Sequence, residues 1–566
     1  MMFALGAIFI VRLFQLQIIS HSYYEAEALK EHTTKFTISA ERGLIYAKDG
    51  QADPVPLVLN EPAFTVYADP RYVGDVTKTL DVLRRIAGGN LLPDIEEPLG
   101  DKKRQYVVLA RQLSRDQADL LKKEELPGIG LQKQERRVYP EGQLGAHLLG
   151  YVNAEGQGQY GVEQALSDEL AGTPGVLKAV TDVHGIPISL SEDDVQIPAN
   201  EGKDLLLTID RNIQAQAEQA LKAGLEKYEA KNGSVLVMDP RDGSVLAMAN
   251  YPTYDPSKYY EVTDYSVFPN AIVSSPYEAG SVIKSLTMAT GLNEGVVRPD
   301  STFYNTGSKQ VADATIKNVL SVSGDRTMTE VLEYSLNTGV IHVLEQLGGG
   351  ELNKQARDKL FGYFSDRFMF GKLTGIEQAS ESPGIIISPD EEQGGNVRYA
   401  NMTFGQGVDT TIIQVASAFS AVINGGNYYK PYVVDSYKQG DNTVKKTQPH
   451  IVGSGVVSQS TSSDLREMLR VAREKTFRGT DKAGYNIGGK TGTSQTIDPK
   501  TGRYTDDNTI GSYVGFGGNE TPHYVIMVRV VDAKMGPGEF ASMAAAPIFA
   551  EISNWMIDYL KIQPKR

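Results

Sequence analysis

From residue 204 onward the chain changes its pattern, and that change constrains the fold more than any other feature. "LLLTID" (205–210) reads as a strand, and "RNIQAQAEQALKAGLEKYEA" (211–230) has helical periodicity. "GSVLVMDPRDGSVLAMANYP" (233–252) gives two apolar strands joined at Asp-Pro-Arg-Asp-Gly, a hairpin. A helix-rich middle runs from about 281 to 425. Strands then return in "YNIGGKTGTSQ", "NTIGSYVGFGG" and "HYVIMVRVVD", and the helix "MAAAPIFAEISNWMIDYLKI" closes the chain. Strands, then helices, then strands and a last helix predict an α+β or three-layer domain with a mostly antiparallel sheet over 204–566.

Upstream the pattern is different. Residues 1–20 are apolar but hold Arg12, Gln15 and Gln17, and just reach the roughly 20 residues that a bilayer span needs. No A-x-A cleavage site follows, so the segment reads as a membrane anchor rather than a cleaved signal. Residues 21–203 mix short strands with helices such as "DVTKTLDVLRRIAGG", which closes on a glycine signal. Asp49-Gly50 marks a turn. The polar stretch 191–204, with Pro and Gly, reads as a linker before the second module.

Composition excludes several functions. The net charge of −14 argues against nucleic acid as a partner, because phosphate binding needs a basic surface. Without cysteine there is no thiolate catalysis, disulfide or cysteine–metal site. The seven histidines are scattered and form no HExxH, so no metal is expected.

The chemistry centres on "SSPYEAGSVIKSLTMATGL" (274–292). Ser281 and Lys284 are three apart, the spacing that puts two side chains on one face of a helix. If the helix opens near Ser281, its Oγ and the lysine amine can meet. Serine needs a base, and a lysine serves only when neutral, which apolar neighbours such as Val282, Ile283, Leu286 and Met288 would promote. A lone S-x-x-K is more often a helix cap with a solvated lysine. Here it is the only S-x-x-K pair, and it is followed by the only S-x-N (Ser335-Leu336-Asn337) and then by a K-T-G within an apolar, Gly-rich strand pattern (Lys490-Thr491-Gly492, then Thr493). The ordered triple outweighs the bland reading of each part.

This triple resembles that of the penicillin-binding proteins and serine β-lactamases. "ERGLIYAKDG", "GVEQALSDELAGTPG", "LLLTIDRNIQAQAEQAL", "FGQGVDTTIIQVASAFSAVINGG" and "GGKTGTSQT" narrow the resemblance to class B penicillin-binding proteins, monofunctional D,D-transpeptidases. The resemblance implies a transpeptidase domain with helices on both faces of its sheet, an elongated α+β pedestal or dimerisation-type module over 21–203, and an N-terminal membrane helix. It implies Ser281 as the acylated nucleophile and Lys284 as its base. Ser335 would relay protons, and Asn337 would bond Lys284 and the substrate amide. Lys490 would supply positive potential. Thr491, Gly492 and Thr493 would bind the substrate, with the N–H groups of Ser281 and Thr493 as the oxyanion hole. The implied partners are D-Ala-D-Ala stem peptides of peptidoglycan, β-lactams, the membrane and a polytopic membrane glycosyltransferase. No cofactor is implied, and the catalytic domain would be extracytoplasmic on a single-pass anchor. The compact "GYVNAEGQGQYGVE" segment looks more like division-type than elongation-type members. The sequence departs from the family at Ala279, where Pro is usual, at Leu336, where Ser is frequent, and at Ile412, which replaces the usual Pro after Thr411. The rival readings are a D,D-carboxypeptidase that uses water as acceptor, and a non-catalytic β-lactam sensor or scaffold.

Overall fold

The computed structural model describes residues 2–24, 33–38, 40–180, 195–440, 442–497, 504–536 and 539–565. The chain forms two compact units. One comprises Met1–Leu44, Asn60–Arg136 and Asp168–Asp204; the other comprises Ile45–Leu59, Arg137–Ser167 and Leu205–Arg566. The stretch read as a single N-terminal module therefore contributes residues to both units.

The larger unit is built on a five-stranded antiparallel sheet. Its order is Val245–Tyr251, Asn232–Met238, Pro522–Val531, Tyr504–Gly518 and Asn486–Ile497. The hairpin expected at 233–252 forms, with Val235 opposite Ala249 and Leu236 opposite Met248. The C-terminal strands add to it with Val235 opposite Val528 and Val237 opposite Ile526. Side chains alternate across a strand, so these partners share a face. That face carries Val235, Val237, Ala247, Ile526, Val528 and Tyr513 and packs against Ile213, Leu221, Leu225, Phe549 and Ile552 of two helices. Each aliphatic chain buried this way contributes roughly 1.5–3 kcal/mol. The helices are Arg211–Lys227, capped by Asp210 accepting from the N–H groups of Asn212 and Ile213, and Ser542–Tyr559.

On the opposite face lie the helices Lys284–Asn293, Ile412–Ile423 and Gln459–Thr476. Ile412–Ile423 is buried at every position, and its start is fixed by a capping box between Thr411 and Gln414. A helix apolar all round belongs inside, and this one is enclosed by its neighbours. The helix–sheet–helix arrangement agrees with the three-layer α+β expectation. A second sheet of the same unit runs through Asn442–Lys446, Val434–Gln439, Asp204–Asp210, Ile45–Asp49 and the first part of Ala52–Ala68. Gly50, with φ +58°, makes the expected turn after Asp49.

The smaller unit packs Val66, Leu80, Leu83, Leu109, Leu113 and Leu121 into its own core. Its helix Val76–Ala87 starts at Asp75, whose side chain accepts from the Lys78 N–H, and stops at Gly88 with φ +54°. The stretch 191–204 is not the free linker that its composition suggests. Residues 191–194 lie outside the described set, but Val195–Ile197 is a strand paired with Gly175–Val180. Gly202 N–H also donates to the Glu41 carbonyl. Polar, Pro- and Gly-containing sequence marks exposure, yet its backbone groups still find strand partners.

At the N-terminus, Met2–Phe14 is an α-helix that continues as a π-turn over Gln15–Ile19. Phe9, Ile10, Val11, Leu13, Phe14, Ile18 and Ile19 are exposed on it. Among the described residues no helix is long and apolar enough to cross a membrane.

Candidate active site

The S-x-x-K pair does not sit on a regular α-helix. Gly280–Ile283 is a 3-10 turn, and the α-helix begins at Lys284. In a 3-10 turn, residues i and i+3 eclipse one another, so Ser281 and Lys284 remain on one side. The helix that follows is buried from Lys284 through Gly291, so its first lysine has nowhere to reach water.

Lys284 is 0% exposed. Its Nζ donates to the Ser335 carbonyl at 2.6 Å and to Ser335 Oγ at 3.1 Å. It also lies 5.9 Å from the centre of the Phe404 ring. Burial, and then the nearby Lys490 charge, hold the Lys284 amine well below its ordinary pKa. Among the described residues neither lysine has a carboxylate partner. The half-buried Ser281 forms no side-chain hydrogen bond to another described residue, Lys284 included. The amine is held ready by Ser335 instead, as catalytic contacts often tighten only once substrate arrives.

Ser335 joins two helices, Met328–Glu333 and Asn337–Leu347. Its φ of +53° is rare for a residue with a Cβ, and places its carbonyl and hydroxyl together on Lys284. Leu336 is 0% exposed, so the departure from the usual serine fills the core rather than facing a ligand. The expected bond from Asn337 to Lys284 is not made. Asn337 Nδ2 donates to the Lys317 carbonyl at 2.8 Å, at the end of the hairpin Ser308–Val311/Ala314–Lys317. The strained Ser335 turn already presents two acceptors to the amine, and Asn337 opens the next helix turned toward that hairpin.

The K-T-G segment lies on Asn486–Ile497, the last strand of the sheet. Lys490 is 3% exposed, and burial pushes its ammonium down to about 7. Its Nζ donates to the Thr491 carbonyl and to Thr491 Oγ1, both at 3.1 Å. Thr491 and Thr493 are half-buried and Gly492 is buried.

The nucleophile turn and this strand touch backbone to backbone. A Cβ on Gly280 would lie 2.6 Å from the Thr493 carbonyl oxygen and 3.2 Å from its nitrogen. A Cβ on Gly492 would lie 2.6 Å from the Ala279 carbonyl oxygen. Gly280 has φ +65°, and its N–H donates to Gly405 at 3.2 Å. Only glycine tolerates both the angle and the approach. The backbone immediately before Ser281 is thus packed against that of Thr493. The structure gathers Ser281, Lys284, Ser335, Lys490, Gly492 and Thr493, while Asn337 sits beside them bonded elsewhere.

Sequence reading missed the supports. Gly405, where a Cβ would fall 2.2 Å from the Gly280 carbonyl oxygen, was legible only as part of a resembling stretch. The Thr410–Tyr277 bridge and the buried Glu278, which accepts from the Gly407 N–H at 2.6 Å, carry no local signal. A cleft of about 310 Å³ elsewhere on the unit is lined by Arg466, Arg470, Asn486 and Lys565, and no residue of the triple lines it.

Residues 233–554 match the penicillin binding protein transpeptidase domain, and residues 37–207 the penicillin-binding protein dimerisation domain. The chain is 34% identical over 535 residues to stage V sporulation protein D of Bacillus subtilis, covering 93% of this chain and 79% of that protein. It is 29% identical to the peptidoglycan D,D-transpeptidase FtsI of Escherichia coli K12, covering 97% and 89%. In fold it is similar to a peptidoglycan synthetase from Bifidobacterium adolescentis, with TM-score 0.72, 23% identity and coverage of 94% and 98%. It is likewise similar to penicillin binding protein 3 of Mycobacterium tuberculosis complexed with aztreonam, with TM-score 0.69, 24% identity and the same coverage.

Proposed function

The chain belongs to the class B penicillin-binding proteins, and from that premise we propose that it is a serine D,D-transpeptidase that crosslinks peptidoglycan stem peptides and is acylated by β-lactams. The observation that carries the reading is the buried Lys284, without a carboxylate partner among the described residues, bonded to Ser335 and placed directly after the turn that abuts Thr493.

Ser281 Oγ attacks the D-Ala-D-Ala carbonyl while the neutral Lys284 amine takes its proton. The carbonyl oxygen gains the negative charge and is held by the N–H groups of Ser281 and Thr493, each donor contributing about 3 kcal/mol. As the C–N bond breaks, the proton passes from Lys284 through Ser335 Oγ to the departing D-Ala amine. The amine of a second stem peptide then attacks the ester and loses a proton along the same route, which restores Ser281. Lys490 supplies positive potential to the site, and Thr491 and Thr493 bind the terminal carboxylate. Asn337 is assigned to the substrate amide rather than to Lys284.

The reading extends to septal wall synthesis, on the likeness to a protein named FtsI. It also places the catalytic unit outside the cell, with residues 1–20 as the anchor and a polytopic membrane glycosyltransferase as the partner. The exposed Phe9, Ile10, Val11, Phe14, Ile18 and Ile19 support the anchor.

Labelling with a fluorescent penicillin, wild type beside Ser281→Ala, with mass mapping of the adduct, tests the acyl-serine site. Incorporation of an added amine acceptor separates transfer from hydrolysis. A folded wild type that accepts neither penicillin nor a thioester substrate would sink the proposal.

A further inference from the structure

A row of four polar side chains, ending at Gly492 on the edge strand, crosses the sheet. Gly492 faces Ser512, Ser512 faces Arg529, Arg529 faces Ser234 and Ser234 faces Asn250, one residue from each of the five strands. Directly opposed residues lie on one face. Ser234 Oγ donates to Asn250 Oδ1 at 2.8 Å, and Asn250 Nδ2 donates to Asn270 Oδ1 at 2.9 Å. Asn270 caps the short helix Ala271–Ser274, which leads into the nucleophile turn.

Arg529 is the anomaly in this row. It is 7% exposed, and among the described residues it has no carboxylate partner. Its hydrogen bonds are long: Nη1 to the Ser275 carbonyl at 3.4 Å and Nη2 to Ser234 Oγ at 3.5 Å. Its Nε has no partner among the described residues. A buried, poorly satisfied guanidinium is destabilising, and an apolar chain of similar length would serve the core better. The close contact it does make is with a ring: its guanidinium carbon lies 5.2 Å from the centre of Tyr277.

Tyr277 is fixed on every side. Its hydroxyl pairs with Ser512 Oγ at 3.0 Å, and its N–H and C=O pair with Thr410, each at 3.0 Å. Four residues later comes Ser281. Between them Ala279 and Gly280 touch Gly492 and Thr493 with no room for a Cβ. A shift of Tyr277 would therefore reach Ser281 without being absorbed.

We infer that Arg529 is a positioning residue for acylation: by clamping Tyr277 it sets where Ser281 stands relative to Thr493. The inference rests on the proposed acylation of Ser281. It assigns to Arg529 no contact with substrate.

Acylation of the full chain by a fluorescent penicillin, followed by stopped flow, separates the dissociation constant of the first complex from the acylation rate constant. Arg529→Met, Arg529→Lys and Tyr277→Phe are compared with wild type, with urea midpoints measured beside them. Arg529→Met is expected to keep or raise the midpoint and to leave the dissociation constant within about twofold. Its acylation rate constant should fall about tenfold, the scale of a sub-ångström misplacement. Arg529→Lys should recover part of the rate, and Tyr277→Phe should lose several-fold. A folded Arg529→Met protein with a wild-type rate constant would overturn the inference. So would a rate loss that tracks a lowered midpoint and is not recovered by lysine. Should Arg529→Met not fold, Tyr277→Leu, which removes the ring under the guanidinium, decides: a wild-type rate constant there overturns the clamp, and a reduced one at an unchanged midpoint upholds it. A wild type that is not acylated at all overturns the proposed function, and the inference falls with it.

Discussion

Replacing Lys490 by methionine should make this protein more stable at pH 7 and, in the same stroke, slow its acylation. Lys490 is 3% exposed on the last strand of the sheet, and among the described residues its nitrogen bonds only to Thr491. Burial moves it from the ordinary 10.5 to about 7. In the unfolded chain it returns to the ordinary value. Between pH 7 and 10.5 the unfolded state therefore binds more protons than the native one, and stability rises with pH across that window. Below pH 7 the full penalty is present; at pH 7 it amounts to roughly 4 kcal/mol. Methionine has similar length and no charge, and a volume-conserving swap costs under about 1.5 kcal/mol. The lost bonds to Thr491 subtract about 1 kcal/mol more. The variant should thus gain roughly 2 kcal/mol at pH 7, the gain should vanish at about pH 9, and at pH 10 the variant should be the less stable by about 1–2 kcal/mol. Urea denaturation of both proteins at pH 7 and pH 10 measures this directly. A variant that is less stable at pH 7, or a difference that does not change with pH, would refute the argument that Lys490 is held as a costly buried amine.

Other consequences follow from the same geometry. The Lys490 charge helps to hold the Lys284 amine below its ordinary pKa, so in Lys490→Met the acid limb of the acylation pH profile should move to higher pH; an unmoved limb would uncouple the two amines. Gly280→Ala puts a Cβ 2.6 Å from the Thr493 oxygen at φ +65°, and should cost about 2 kcal/mol in a urea melt and about 100-fold in penicillin acylation. Arg473 is fully buried, bonds Asp481 through two nitrogens at 2.6 Å and donates to the Tyr513 hydroxyl at 2.5 Å, so Arg473→Ala should lose about 3 kcal/mol by the same melt. Asn337→Ala removes the bond to the Lys317 carbonyl, and should speed amide exchange across residues 308–317 with a stability loss of only about 1 kcal/mol.

Much of this was legible in the chain itself. Alternation and turn chemistry are local, so the hairpin at 233–252, the three late strands and the capped helix Arg211–Lys227 stand where the pattern put them. The triple marked Ser281, Lys284, Ser335 and Lys490 because each carries a reactive group in an ordered set of short motifs. Other readings failed because they depend on distant partners. The stretch 191–204 read as a linker, since nothing local announces that Val195–Ile197 pairs with Gly175–Val180. Asn337 was assigned to Lys284, whereas a hairpin placed by the fold takes its amide.

The sequence by itself determined which groups could react and which elements would carry them, because periodicity, caps and motif spacing act over a few residues. Tertiary structure alone decided that Lys284 and Lys490 are buried together, so that each is held below its ordinary pKa. It decided too that Gly280 meets Thr493, residues more than two hundred positions apart, and that Arg529 lies under Tyr277. Burial and long-range approach are properties of the packed whole, and no short window of the chain encodes them.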